Sequence, residues 1–252
     1  MPLGPPPAPP VPGPEIREAT GLNRGSLSRM DISPDQVQRA LLALAAFVIS
    51  VSVHEFGHAF VADRLGDRLP RMQGRLTLWP VAHIDLIGTI VMPLVGALLP
   101  GGYPLIAWGK PVQTNPRNYT VRLPRRVGHM LVSLAGPGMN LLLAILASIV
   151  FVLLGKSGKL PPAVATVLLR YVLALNLVLM FFNLIPLPPL DGGALLAAIL
   201  PDSLQVIPRA LERYGMILFF ILFLSGVLGV FMRPAYALIG IWSDALRRVV
   251  AV

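Results

Sequence analysis

The chain has 252 residues, 55% of them hydrophobic and 13% charged, with a mean hydropathy of +0.71. Soluble domains carry about 25% charged residues, so the composition excludes an ordinary soluble protein and predicts a membrane one. The net charge of +9 comes from 18 Arg and 3 Lys without aromatic interleaving, which argues for orienting basic loops and no nucleic-acid partner, while zero cysteines exclude disulfides and thiolate metal sites.

Residues 1–14, MPLGPPPAPPVPGP, hold eight prolines and predict an extended or disordered tail that occupies 1–32. Ser33-Pro34-Asp35 reads as a helix start, and the first apolar helix is predicted over 36–64. Gly66 ends it, and a basic loop follows with Arg64, Arg68, Arg71 and Arg75. A second apolar stretch covers 84–108, interrupted by Pro93 and by Pro100-Gly101-Gly102. A second basic loop holds Lys110, Arg117, Arg122, Arg125 and Arg126. Helices are predicted over 126–154 and 163–184, then a break at Ile185-Pro186-Leu187-Pro188-Pro189, a short helix 191–200 and a spanning helix 211–232. A C-terminal helix occupies 233–252. Runs 86–109, 130–155, 171–190 and 214–232 contain no Asp, Glu, Lys or Arg, and a bilayer crossing needs roughly 20 mainly apolar residues.

The expected fold is therefore an all-α polytopic membrane protein. About 5–6 membrane segments would surround a three-helix catalytic core within 33–232. Positive loops prefer the cytoplasmic side. With a basic loop on each flank, 84–108 reads as a re-entrant hairpin with its tip at Pro100-Gly101-Gly102; a single helix over 84–99 is the alternative.

Within the first helix lies His54-Glu55-Phe56-Gly57-His58, the pattern HExxH. Residues four apart share a helix face, so both imidazoles can bind one ion, and Glu55 stands beside them as a base for water. Satisfied core histidines and a paired glutamate are the bland alternative. Ionisable groups inside a membrane are costly unless used, which favours the metal reading. A catalytic zinc needs three protein ligands and an open position. Candidates are Asp63, Asp67, His83, Asp85 and Asp191. Asp63 points away around the helix, Asp67 pairs with a loop arginine, and His83 and Asp85 read as an interfacial cap. Asp191 is the strongest. It follows the proline break in Asn183-Leu184-Ile185-Pro186-Leu187-Pro188-Pro189-Leu190-Asp191-Gly192-Gly193, at the same depth and from the same side as HExxH. An N-cap of helix 191–200 is its compatible second role. Asn140 read alone fits a buried helix–helix hydrogen bond.

HEFGH, AGPGMN at 135–140 and NLIPLPPLDGG at 183–193 resemble the three signature segments of the site-2 protease family of intramembrane zinc metalloproteases. GRLTLWPVAHIDLIGT (74–89) and AWGKPVQTNPRN (107–118) are similar to its compact members that lack a PDZ domain. The resemblance implies one Zn2+ per chain held by His54, His58 and Asp191, with Glu55 as general base. It implies that Asn140 lies near the site and holds substrate or a developing oxyanion, and that Asn183 and Pro186 help the broken stretch bind substrate. The expected partners are a transmembrane protein or peptide substrate and the lipid bilayer, in a prokaryotic plasma membrane with the site toward the cytoplasm. A zinc or proton transporter using the same His/Asp cluster is the rival reading. An inactive scaffold is a third, opposed by the intact Glu55.

Overall fold

The structure, a computed structural model, describes residues 33–98 and 107–251. The Pro-rich tail and the Pro100-Gly101-Gly102 tip lie outside these. Among the described residues all regular structure is helical. The main helices are α1 (Pro34–Arg64), α2 (Leu86–Leu98), α3 (Arg125–Lys156), α4 (Pro162–Asn183), α5 (Asp191–Ile199), α6 (Val206–Leu224) and α7 (Arg233–Ala251).

Local chemistry sets the ends of α1. Ser33 Oγ accepts the Gln36 N–H at 3.2 Å, Pro34 occupies the first turn, and Asp35 faces the positive end of the helix dipole. Past Arg64, Gly66 adopts φ 107°, where a side chain would also overlap Thr120. Of the other helices, α3 and α4 are long and apolar enough to cross a bilayer, as is α1. The helices around Asp202–Leu224 and Leu228–Ala251 form a fourth span only if their 87° bend is counted within one crossing. Among the described residues the candidate spans number three or four, which does not confirm the five or six segments expected. The predicted 211–232 helix is broken because Gly226 takes φ 74° and ends α6 at Leu224.

The outer faces explain the solvent. On α3, Leu142, Ile145, Leu146, Ile149 and Leu153 form an exposed apolar stripe. Its inward face carries Gly128, Ser133, Gly136, Asn140, Ala144 and Ser148. Small and polar inside with large and apolar outside is the pattern of a helix bundle surrounded by lipid. The core between α3, α4 and α7 holds Ala144, Phe151, Leu173, Leu177 and Leu246.

The described flanks of segment 84–108 bond to each other. Trp108 N–H donates to Gly88 O at 3.1 Å, Lys110 N–H to His83 O at 2.9 Å, and Thr89 Oγ1 to Trp108 O at 2.7 Å. Residues 86–98 rise only about 20 Å as a helix, short of a core about 30 Å thick. Pairing of the two flanks is what a hairpin requires of them.

Candidate metal centre

Three side chains meet where α1, α3 and α5 converge. His54 Nε2 and His58 Nε2 lie 3.0 Å apart. Asp191 Oδ2 lies 3.2 Å from the first and 3.3 Å from the second. Both histidines are buried, and Asp191 Oδ2 is buried without a hydrogen-bond partner.

The far side of each ring decides what this triangle can hold. His54 Nδ1 faces Asn140 Oδ1 at 2.6 Å, and His58 Nδ1 faces the Val132 carbonyl at 2.7 Å. Both partners only accept, so each Nδ1 carries a proton, and in the neutral imidazole each Nε2 presents a lone pair. Two imidazole lone pairs and a carboxylate oxygen then point at one place with no proton between them, an arrangement that a cation resolves. Tetrahedral ligands about 2.0–2.1 Å from zinc stand about 3.3–3.4 Å from one another, close to the spacing seen. Gly136 leaves room for it: a Cβ there would overlap His58 Nε2 and the tip of the His54 ring. The residues present therefore fit a zinc ion. Among the described residues this is the one group of three such side chains able to hold a metal.

The break delivers Asp191. Leu187 N–H bonds to Ile185 O at 2.7 Å and Leu190 N–H to Leu187 O at 2.9 Å, so the chain coils tightly after α4. Bare backbone at Gly192 and Gly193 lets α5 start against this coil; a Cβ at Gly192 would meet the Leu184 and Ile185 carbonyls, and one at Gly193 would meet Pro188. Leu190, not Asp191, is the N-cap, and it makes no side-chain cap. The break frees the Asp191 carboxylate to turn toward the histidines from the first helical position, where the helix dipole favours negative charge.

Glu55 is held from outside the helix. Its Oε2 accepts the Val112 N–H at 2.8 Å. Val112 belongs to loop 107–118, which Asp67 anchors. That carboxylate, fully buried, accepts the Asn115 N–H at 2.6 Å, the Asn118 amide at 2.8 Å and the Leu69 N–H at 3.2 Å. Asp67 thus pairs with amides and not with the arginine expected, because the loop folds back over the end of α1. Burial, and then the Asp67 charge, push the neighbouring Tyr119 phenol up to about 12, so it stays neutral. Asp63 pairs with Arg71 at 2.7 Å. His83 is buried against the Thr77 carbonyl at 2.8 Å, and Asp85 caps α2 by accepting the Gly88 N–H at 2.8 Å. These three stand apart from the metal group.

Asn140 sits behind His54 and also donates through Nδ2 to Asn176 Oδ1 at 2.8 Å. Asn183 spends its amide on the Leu179 carbonyl at 2.9 Å, and Pro186 is exposed on the break. Asn176, Ser50, Gly136 and Val112 are the site's neighbours that sequence reasoning missed. An Asn and a Ser inside apolar runs were visible signals; a backbone N–H such as that of Val112 was not.

Comparison with known proteins agrees with this geometry. The model of Peptidase family M50 matches residues 42–158 and 155–226, so the chain belongs to that family, the site-2 proteases. It is 37% identical over 182 residues to YwhC of Bacillus subtilis strain 168, which carries the name of a candidate zinc metalloprotease, covering 71% of this chain and 78% of the relative. Rip2 of Mycobacterium tuberculosis strain H37Rv, similarly named, is 32% identical over 200 residues, covering 78% of this chain and 72% of the relative. Rip2 of Mycolicibacterium smegmatis is 32% identical over 193 residues, covering 75% and 68%. No solved structure matches the chain. The protein is an integral membrane protein of a zinc metalloprotease family.

Proposed function

We propose that the protein hydrolyses peptide bonds in or near transmembrane helices of membrane-protein substrates, on a single zinc ion held by His54, His58 and Asp191. The observation that carries this is the meeting of three donor atoms within 3.0–3.3 Å, with the Glu55 carboxylate next to His54 on α1.

Zinc bound there supplies Lewis acidity, polarising the scissile carbonyl and lowering the pKa of a water toward about 7. Glu55, steadied by the Val112 N–H, takes a proton from the attacking water and delivers it to the leaving amine as the C–N bond breaks. Asn140 orients His54. The exposed Pro186 lies where the helix is broken, which suits contact with an unwound substrate segment. A helical substrate must unwind first, since its amides are closed in internal hydrogen bonds.

The distribution of basic residues favours an orientation with the site toward the cytoplasm. Arg64, Arg68, Arg71, Arg75, Lys110, Arg117, Arg122, Arg125 and Arg126 gather at the end of the bundle where Thr120 N–H bonds Leu65 O at 2.9 Å. A transporter would need ionisable groups through the whole depth, yet the half of α3 beyond Asn140 offers only Ser148 as a buried polar residue.

Glu55→Gln tests the reading. Cleavage of a co-expressed transmembrane substrate is expected to vanish with zinc content near that of the wild type. Retained cleavage removes Glu55 as base, and zinc movement into liposomes unimpaired by the substitution makes the protein a transporter.

A further inference from the structure

We propose that Asn176 and Ser50 are positioning residues. With Asn140 they form a one-way hydrogen-bond relay, anchored on the Val172 carbonyl, that holds His54 as the tautomer whose Nε2 can take a metal. This rests on His54 being a ligand and deepens that reading.

The relay is read from its far end. The Val172 carbonyl can only accept, and Asn176 Nδ2 lies 2.8 Å from it. The same nitrogen donates to Ser50 Oγ at 2.9 Å. The Asn176 amide is thereby oriented, because a flip would set two carbonyl oxygens against each other in a buried place. Its Oδ1 then faces Asn140 Nδ2 at 2.8 Å, which orients the second amide in turn. Asn140 Oδ1 is left facing His54 Nδ1 at 2.6 Å. An amide oxygen only accepts, so Nδ1 must carry a proton, and of the two neutral tautomers the one kept has its lone pair on Nε2. Asn140 and Asn176 are fully buried and Ser50 is 2% exposed, so bulk water does not reset the order.

The relay opposes a competing state. With its proton on Nε2, His54 could donate to Asp191 Oδ2 at 3.2 Å or to His58 Nε2 at 3.0 Å. That would close the site without a metal. It would also turn the Nδ1 lone pair against Asn140 Oδ1 and leave a buried amide oxygen without a donor. His58 receives the same instruction in one step, from the Val132 carbonyl. His54 receives it across three helices: α4 to α3 and back to α1, with Ser50 on α1 one turn before the ligand. The metal-ready tautomer is therefore a property of the assembled bundle.

The test uses the full chain in detergent, stripped of metal and labelled with 15N-histidine; His54→Gln assigns the His54 signals. Wild type is expected to show His54 protonated at Nδ1, and a wild-type His54 protonated at Nε2 overturns the relay without any variant. Cobalt affinity by chelator competition is the second readout. Asn176→Leu is expected to shift His54 toward the Nε2–H form and to weaken cobalt binding about 10- to 100-fold. Ser50→Ala, which leaves the Val172 anchor, is expected to weaken it less. Unchanged tautomer and affinity in folded Asn176→Leu overturn the relay while leaving the metal centre intact. Wild type that binds no cobalt overturns the metal reading itself.

Discussion

Gly136 contributes no side chain, and the space it leaves is where two imidazoles meet. Those rings cannot retreat, since His54 Nδ1 is tied to Asn140 at 2.6 Å and His58 Nδ1 to Val132 O at 2.7 Å. A methyl group in Gly136→Ala would overlap both ring tips. The expected result is at least a tenfold loss of bound zinc by elemental analysis, together with a lowered melting temperature from the overpacked site; zinc at the wild-type level would mean that the ligand atoms lie elsewhere. The proposed ligands were legible from the i, i+4 spacing of His54 and His58 and from an aspartate behind a proline break. Gly136 was not, although AGPGMN had been noticed, because a glycine announces free space without saying what fills it. Asn140 was expected to touch substrate or oxyanion; both its polar atoms are engaged with His54 and Asn176, so its part is argued through His54.

At the scale of elements, two irregular segments do what the helices cannot. The break after α4 turns Asp191 toward α1, and loop 107–118 brings the Val112 N–H to Glu55. The first was legible because prolines mark it. The second was not, because its anchor is a carboxylate satisfied by loop amides, which sequence pattern cannot tell from one paired with arginine. Asp67→Ala removes hydrogen bonds to a buried charge, and such bonds contribute about 1.5–3 kcal/mol each. A destabilisation of about 3 kcal/mol is expected in denaturation, together with faster proteolysis in 107–123; wild-type stability would refute the anchoring role. Val112→Pro deletes the N–H and also fixes the local backbone. We expect kcat to fall about tenfold with zinc content unchanged, and an unchanged kcat would show that Glu55 needs no such support.

Across the whole molecule, the apolar rim and the basic end define how the protein sits in a bilayer. Helix positions were legible from charge-free runs, to within two or three residues at α1, α3 and α4. The number of spans is not settled by those runs, since residues 86–98 and the segment around Gly226 are as apolar as the longer helices and differ from them in length and bend. Topology gives a direct test, helped by the lack of native cysteine. Gln73 and Gln113, exposed and bonded to each other at 2.8 Å, lie on the two basic loops. Cysteines at both positions are expected to react with an impermeant thiol reagent from the cytoplasmic side, and one at Lys159 from the opposite side. Reaction of 73 and 113 from opposite sides would make residues 84–108 a crossing and displace the site from its assigned depth.

X-ray absorption at the zinc edge, on wild type and Asp191→Ala, tests the centre most directly. For wild type it should report one zinc per chain with two imidazoles and oxygen ligands at about 2.0–2.1 Å. In Asp191→Ala, zinc content should drop, and any zinc retained should show one carboxylate fewer. A wild-type chain without zinc, or an Asp191→Ala variant with the same zinc content and the same ligand shell, would contradict the account.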